Sequence, residues 1–229
     1  MSQRVVLITG ANGGLGTAVT EAFLGTGAAV IGVARRIEAS EFTDDRFVAM
    51  PADLSRADAV RVLVDQTMVR FGRLDAAVHL MGGFAGGQKV DETGEAGFDR
   101  MLEINFKSAV HLFRAVVPVM RRSGGGRLIA IGSRAAVDPP PGLGAYSASK
   151  AALVSLMRTL AVENKDHGIT SNVILPSTMD TTANRAAMPG ADASRWVPPE
   201  SVAGLILYLA SASAAHVTGA VIPIYGKEL

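Results

Sequence analysis

The sequence has no cysteine and only one tryptophan among 229 residues, and its charges almost balance. Without cysteine, the chain cannot form a disulfide, a thiolate metal site or a cysteine nucleophile. Its four histidines are scattered without the spacing of metal ligands. The 22 basic and 21 acidic side chains give a net charge of +1, which provides no basic surface for nucleic acid. We therefore expect neither a metal ion nor a nucleic-acid partner.

Long hydrophobic runs are absent as well. No apolar segment approaches the roughly 18 residues that a membrane-spanning helix needs, and the apolar residues near the start are too few for the core of a signal peptide. We therefore expect a cytoplasmic protein that does not bind membranes. A chain of 229 residues, 48% of them hydrophobic, is typical of one α/β domain, which we expect to span residues 1–229.

Short apolar segments rich in β-branched residues alternate with helical patterns. We predict strands at residues 5–8, 30–33, 47–50, 76–80, 128–131, 170–175 and 221–224, and helices at residues 15–24, 57–71, 98–120, 147–163 and 201–210. This alternation predicts a parallel sheet covered by helices on both faces. Residues 176–199 form a long irregular segment, and segments of this length are usually lids or binding loops.

A glycine-rich segment joins the first predicted strand to the first predicted helix. Glycines let a pyrophosphate approach the backbone, and the free N–H groups at a helix N-terminus bind it. The spacing of Gly10, Gly13 and Gly16 therefore predicts a dinucleotide site, the alternative being an ordinary tight turn. The predicted cofactor contacts in this segment are Gly10, Asn12, Gly13, Gly14, Leu15 and Gly16.

The end of the second predicted strand indicates which dinucleotide binds. NAD-specific sites carry an acidic residue there, whereas this sequence has Arg35 and Arg36. Two guanidinium groups can pair with a 2′-phosphate, so we predict NADP, with NAD as the alternative because Glu38 lies close by. Asp53 and Leu54 follow the third strand, where the carboxylate either accepts from the adenine amino group or caps the next helix.

A tyrosine and a lysine four residues apart open a later helix. Tyr146 and Lys150 share one helix face, and a nearby ammonium favours the phenolate, which predicts a lowered pKa for Tyr146. Ser133 places a hydroxyl at the carboxyl end of a predicted strand, where open α/β sheets bind ligands. These three side chains predict acid/base chemistry at a bound substrate.

Taken in order, the motifs resemble those of the short-chain dehydrogenase/reductase family over the whole chain. The matching residues are Thr9, Gly10, Gly14 and Gly16; Asp53; Asn105 within Ile104-Asn105-Phe106; Ser133; Tyr146 and Lys150; and Val217, Thr218 and Gly219. The resemblance implies a single Rossmann-type, doubly wound parallel sheet in the order 3-2-1-4-5-6-7. It also implies hydride transfer between a nicotinamide and a carbonyl or alcohol carbon.

The resemblance further implies a catalytic tetrad. Asn105 would hold a proton-relay water, Ser133 would orient the carbonyl oxygen, and Tyr146 would act as the acid/base. Lys150 would bind the nicotinamide ribose and acidify Tyr146. Other cofactor contacts carried over from the family are Met81, Gly82, Gly83, Pro176, Ser177, Thr178 and Thr181. The family forms dimers or tetramers, and apolar residues on two faces of the predicted helices at 98–120 and 147–163 also favour a homodimer or homotetramer.

Three segments depart from the family pattern: the family has Asn-x-Ala-Gly where this chain has His79-Leu80-Met81-Gly82-Gly83, Pro-Gly where it has Pro176-Ser177, and Asp-Gly-Gly where it has Tyr225-Gly226-Lys227. Residues 82–87, several residues between 175 and 196, and the tail at residues 226–229 locally resemble dihydropteridine reductases. In that branch the serine of the tetrad is absent and an acid selects NADH, whereas this chain has Ser133 and the two arginines. Quinonoid dihydropteridine reduction is therefore the alternative reaction.

We predict an oxidoreductase that transfers hydride from NADPH to a small-molecule ketone, aldehyde or 3-oxoacyl substrate. Candidate substrate contacts are Phe84, Met179, Arg185, Met188 and Trp196. Trp196 alternatively anchors the irregular segment to the body of the protein, and Arg185 either pairs with an acidic substrate or stands in solvent. A non-catalytic dinucleotide-binding sensor or scaffold is the alternative from another class of function.

Overall fold

A computed structural model of the chain describes residues 3–228, which contain one seven-stranded parallel sheet. The strands are β1 (Val5–Thr9), β2 (Ala29–Ala34), β3 (Phe47–Pro51), β4 (Ala76–His79), β5 (Gly126–Ile131), β6 (Ile169–Pro176) and β7 (Val221–Ile224). The helices are α1 (Gly14–Gly25), α2 (Ala57–Phe71), α3 (Glu95–Leu102), α4 (Ser108–Arg122), α5 (Gly144–Asn164), α6 (Thr182–Ala187) and α7 (Pro199–Ala210). The strand order β3-β2-β1-β4-β5-β6-β7 confirms the predicted topology.

The central strands are buried on both faces because successive side chains point to opposite sides of the sheet. Val5 and Leu7 of β1 belong to a core that also contains buried residues of α2, α4 and α5. Val6 and Ile8 belong to a second core, which contains buried residues of α1 and α7. Helices therefore cover both faces, as predicted, and the carboxyl ends of the strands remain accessible between the two layers.

Residues 98–120 are helical, as predicted, but they do not form one continuous α-helix. Between α3 and α4 lies a π-helical turn, Glu103–Lys107, in which the N–H of Ser108 donates to the carbonyl oxygen of Glu103, five residues back. The Ser108 hydroxyl donates to the carbonyl oxygen of Ile104 at 2.7 Å. Such wide turns insert an extra residue into a helix and are frequent at functional sites. Asn105 lies inside this turn and is fully buried.

Residues 176–199 are more ordered than the predicted irregular loop. The segment contains α6, and its two ends are joined by a β-bridge between Met179 and Val197. The N–H of Asp180 donates to the carbonyl oxygen of Val197, and the N–H of Val197 donates to that of Thr178, each at 2.9 Å. Trp196 is buried beside this bridge, with 6% of its surface exposed. Of the two alternatives for Trp196, its burial favours the anchor.

The exterior of α5 leaves apolar surface uncovered, including Val162, which is 70% exposed. Because the structure contains a single chain, the predicted homodimer or homotetramer stays a prediction. No helix within residues 3–228 combines the length and the hydropathy needed to cross a membrane.

Helix α1 packs directly on the backbone of the glycine turn that precedes it. A Cβ atom at Gly16 would lie 1.9 Å from the carbonyl oxygen of Gly10. Gly10 itself has a φ of +70°, in the left-handed region that favours glycine. The turn and the first turn of α1 can therefore approach each other only with these two glycines in place.

We expect Gly16→Ala to lower the free energy of unfolding by about 2–3 kcal/mol, because the methyl group forces the turn away from α1. Gly204→Ala is the matched control, since Gly204 lies inside α7 and a Cβ there meets no atom within 4 Å. It should stabilise the protein by about 0.5–1 kcal/mol through helix propensity. Urea unfolding measures both, and equal effects of the two substitutions would contradict the packing described above.

Candidate active site

The glycine turn between β1 and α1 presents an open helix N-terminus. Helix α1 has Gly13 at its N-cap, without a capping side chain, and no acidic residue in its first turn. Its first N–H groups and its positive dipole end are therefore free to bind an anion. These features fit the pyrophosphate of a dinucleotide.

The irregular segment reaches back to this turn. A Cβ at Gly14 would lie 2.9 Å from Cγ2 of Thr181, which caps the N-terminus of α6. On the other side of the turn, a Cβ at Gly10 would lie 3.1 Å from the backbone nitrogen of Met81. The fold thus brings predicted cofactor contacts from three distant parts of the chain into one region.

Arg35 and Arg36 follow β2 with exposed side chains. The amide nitrogen of Asn12 donates to the carbonyl oxygen of Arg36 at 2.8 Å and to a carboxylate oxygen of Glu41 at 3.2 Å. These bonds hold the segment after β2 against the glycine turn. The acidic residue bound to the glycine turn is therefore Glu41, which the sequence analysis missed. The carboxylate of Glu38 instead accepts from the Ser40 hydroxyl at 3.4 Å.

Asp53 acts locally, at the turn that leads to α2. Its carboxylate accepts from the backbone N–H of Ser55 at 3.0 Å and from the Ser55 hydroxyl at 2.8 Å. These two bonds lower the pKa of Asp53, with a smaller contribution from the charge of Arg35. The geometry favours the local capping role over the adenine contact. The Leu54 side chain is buried in the core, so the predicted cofactor contact cannot be made through it.

Three of the four predicted catalytic residues, Ser133, Tyr146 and Lys150, line one cleft of about 970 Å³ beyond the carboxyl ends of β4, β5 and β6, and Asn105 lies outside its lining. Ser133 enters it directly after β5, and Tyr146 and Lys150 enter it from the start of α5. The Lys150 ammonium donates to the carbonyl oxygen of Ile131 at 2.9 Å and lies 6.0 Å from the centre of the Tyr146 ring. This hydrogen bond fixes α5 to the end of β5 and brings the three side chains together.

The structure contradicts the expected lowering of the Tyr146 pKa. Burial raises the pKa of Tyr146, and a hydrogen bond with the Ser133 hydroxyl opposes that rise. Burial also lowers the pKa of Lys150 to about 8, since desolvation penalises the ammonium. The chain by itself therefore keeps the Tyr146 phenol protonated at neutral pH.

Asn105 clamps the loop that follows β4. Its side-chain oxygen accepts from the N–H of Gly83 at 2.9 Å, and its amide group donates to the carbonyl oxygen of Gly83 at 3.0 Å and to the Ser149 hydroxyl at 3.1 Å. A Cβ at Gly82 would lie 2.8 Å from this side-chain oxygen and 3.3 Å from the Lys150 nitrogen. Both amide hydrogens of Asn105 are thus engaged within the protein, and the relay water expected from the family resemblance stays a prediction.

His79, which departs from the family pattern, is buried at the centre of a directed chain of hydrogen bonds. Because the Ser108 hydroxyl gives its hydrogen to Ile104, it must accept from Nε2 of His79, 3.3 Å away. Nδ1 then accepts from the Thr9 hydroxyl at 2.9 Å, and that hydroxyl accepts from the N–H of Met81 at 3.3 Å. Burial, helped by the charge of Lys150, lowers the pKa of His79 to about 3, so the ring is neutral.

The chain of bonds through His79 joins β1, the loop after β4 and the π-helical turn. Each of these parts carries predicted cofactor or catalytic residues. His79 is therefore a buried histidine with both ring nitrogens satisfied, and its position couples the glycine turn to the floor of the cleft.

Apolar side chains form much of the cleft wall. They include Phe84, Leu143, Met179 and Met188. Phe84 is 68% exposed and lies edge-on to Tyr146, with ring centres 5.1 Å apart. Trp196 and Arg185 are not among the cleft-lining residues. Trp196 is buried, and Arg185 pairs with Asp180 through two bonds of 2.5 and 2.8 Å, so neither fits the predicted substrate contact.

Among the ionisable residues that line the cleft, the sequence analysis did not name Arg134, Asp138 and Glu228 as site residues. Arg134 pairs with Asp138 at 2.8 Å, lies over the Tyr225 ring and donates to the carbonyl oxygen of Glu228. The i, i+4 spacing of Arg134 and Asp138 could have suggested the ion pair. No local pattern indicates that the end of the chain returns to the cleft.

Comparisons with known proteins agree with this geometry. A family model described as short chain dehydrogenase matches residues 4–191. The short chain dehydrogenase ausX of Aspergillus calidoustus is 30% identical, across 98% of this chain and 96% of its own length. The 3beta-hydroxysteroid dehydrogenase of Mediterraneibacter gnavus is 29% identical, across 96% of this chain and 92% of its own length. The chain therefore belongs to the short-chain dehydrogenase/reductase family and is an oxidoreductase.

Solved structures extend the likeness to the whole fold. The structure of ElxO with NADP bound superposes with a TM-score of 0.93 and covers 99% of both chains. Its sequence identity is 23%, so this likeness concerns the fold alone.

Proposed function

We propose that this protein reduces a neutral ketone or aldehyde with NADPH, with Tyr146 as the proton donor. The observation that carries the proposal is the convergence of a serine hydroxyl, a phenol and a buried ammonium on one cleft. Lys150, Thr178 and Thr181, together with the glycine turn, are the residues that would hold the cofactor.

The side chains of the cleft suit reduction. A bound NADPH supplies the hydride that the carbonyl carbon accepts. Tyr146 donates the proton that converts the carbonyl oxygen to a hydroxyl, because burial raises its pKa and keeps the phenol protonated. The Ser133 oxygen accepts from the N–H of Ala135 at 3.2 Å, and the Ser133 hydroxyl, which also bonds Tyr146, would donate to the developing oxyanion.

The preference for NADPH over NADH rests on the residues after β2. Arg35 and Arg36 are exposed, and neither side chain has a hydrogen-bond or ion-pair partner among residues 3–228. Guanidinium groups pair with a phosphate through charge-assisted bonds. The NADP bound to ElxO is consistent with this choice.

The choice of a neutral substrate rests on the arginines near the cleft. Arg134 is paired with Asp138, and Arg185 with Asp180. Arg195 donates to the carbonyl oxygen of Lys227 at 2.7 Å. All three arginine side chains are bonded within the chain, so they are not available as basic partners for a 3-oxoacyl group on an acidic carrier. The apolar wall favours a ketone or aldehyde, and a relative of this chain is described as a hydroxysteroid dehydrogenase.

Two alternatives have less support. Quinonoid dihydropteridine reduction fits the local resemblance, but Ser133 and the arginine pair favour carbonyl reduction with NADPH. A non-catalytic sensor or scaffold would not require Ser133, Tyr146 and Lys150 to line one cleft.

Substituting Tyr146 by Phe should lower kcat with a ketone or aldehyde panel at least about 100-fold, because the proton donor is lost. The dissociation constant for NADPH should stay within about twofold, measured by nucleotide fluorescence. Tyr208→Phe is the control, since Tyr208 is half-exposed on α7, away from the cleft. Full turnover by Tyr146→Phe that still binds NADPH would refute the proposed role.

Substituting both Arg35 and Arg36 by Ala should raise the dissociation constant for NADPH about 10- to 100-fold, because charge-assisted bonds to the 2′-phosphate are lost. Binding of NADH should change by less than about threefold. Arg61→Ala, an exposed arginine on α2, serves as the control. Equal weakening for both cofactors, or a wild type that prefers NADH, would rule out the proposed selectivity.

A further inference from the structure

Glu228 brings the end of the described chain into the wall of the cleft. One carboxylate oxygen, Oε2, accepts from the backbone N–H of Thr178 at 3.0 Å. Arg134, the residue after Ser133, donates to the Glu228 carbonyl oxygen. The wall is therefore tied both to the segment beside Ser133 and to the connection between β6 and α6.

The residues before Glu228 hold the tail in place. The N–H of Lys227 donates to the carbonyl oxygen of Arg195 at 3.1 Å, and the Arg195 guanidinium donates back to the carbonyl oxygen of Lys227 at 2.7 Å. A Cβ at Gly226 would lie 2.9 Å from the carbonyl oxygen of Arg195, so the tail packs closely on its neighbour. Glu228 is thus presented on fixed backbone.

The second carboxylate oxygen of Glu228, Oε1, has no hydrogen-bond partner among residues 3–228. An ionised carboxylate accepts about four hydrogen bonds, and this one accepts a single bond from residues 3–228. A ligand in the cleft can supply the missing donor.

The charges that face the cleft make Glu228 distinctive. The ionisable side chains in the lining are Arg134, Asp138, Tyr146, Lys150 and Glu228. Arg134 and Asp138 neutralise each other at 2.8 Å. Lys150 is held at the floor by Ile131, beside the phenol. The carboxylate of Glu228 is therefore a negative charge without a cationic side chain bound to it in the described part of the chain.

We infer that Glu228 determines substrate specificity by accepting a hydrogen bond from an N–H, O–H or ammonium group of the substrate, remote from its carbonyl. The same charge disfavours substrates that carry a carboxylate or phosphate, since like charges repel across the cleft. The substrate class is thus a neutral or cationic carbonyl compound with a distal donor. This inference rests on the proposed carbonyl reduction.

Three aromatic ketones of similar shape test it: 4-(aminomethyl)acetophenone, acetophenone and 4-acetylbenzoate. For the wild type with NADPH, kcat/KM should be at least about tenfold higher for 4-(aminomethyl)acetophenone, which is a cation, than for 4-acetylbenzoate, which is an anion. Glu228→Gln should narrow this ratio about tenfold, because the amide oxygen still accepts from Thr178 while the charge is removed. Glu21→Gln, an exposed acid on α1, should leave the ratio unchanged.

Calorimetric binding of the same three ketones to the NADPH-loaded protein separates the two claims. One outcome is that the wild type binds the cationic ketone more tightly than the anionic one, that Glu228→Gln loses this ranking, and that no ketone is turned over. This outcome would support the role of Glu228 and contradict carbonyl reduction. Turnover with a ratio that Glu228→Gln leaves unchanged would overturn the inference and leave the reductase intact. If no ketone is turned over and binding shows no ranking by charge, both the role of Glu228 and the carbonyl reduction are overturned.

Discussion

The hydrogen bond between the buried Lys150 ammonium and the Ile131 carbonyl oxygen fixes the geometry on which the rest of the site depends. It joins the first turns of α5 to the end of β5, so Tyr146 and Ser133 must enter the same cleft. Burying an ammonium is costly, and the pKa of Lys150 falls to about 8 as a result. The same burial raises the pKa of Tyr146. One packing constraint therefore sets both the position and the protonation state of the proposed proton donor.

A second constraint is the close approach of the Gly82 backbone to two side chains at this floor. Only glycine fits at position 82, because a Cβ would press against the Asn105 side chain and the Lys150 ammonium. Asn105 can reach Gly83 because it lies in the π-helical turn before α4. The chain of hydrogen bonds through His79 ties the π-helical turn to Thr9 and hence to the glycine turn. The cofactor end and the reaction end of the site are thus parts of one rigid framework.

Sequence alone predicts the features that depend on neighbours in the chain. The alternation of strands and helices, the glycine turn and the Tyr146–Lys150 spacing are all local, whereas the confirmed order of the strands in the sheet is implied by the family resemblance. The π-helical turn escapes prediction because it is stabilised by Asn105 reaching Gly83 across 22 residues. The contact of Glu228 with the cleft wall is not predicted for the same reason, since Arg134 and Glu228 are 94 residues apart in the sequence. The pKa of Tyr146 is raised instead of lowered because burial, which the sequence does not reveal, outweighs the hydrogen bond with Ser133.

The most direct test of this account is a titration of the Tyr146 phenol in the intact protein. Ultraviolet difference spectra of the wild type, with Tyr146→Phe to assign the signal against Tyr208 and Tyr225, follow its ionisation. The account predicts a pKa for Tyr146 above the ordinary value of a phenol, because burial outweighs the Ser133 hydrogen bond. Ionisation of Tyr146 near neutral pH would show that Lys150 acidifies it instead, and would contradict a protonated phenol as the resting proton donor.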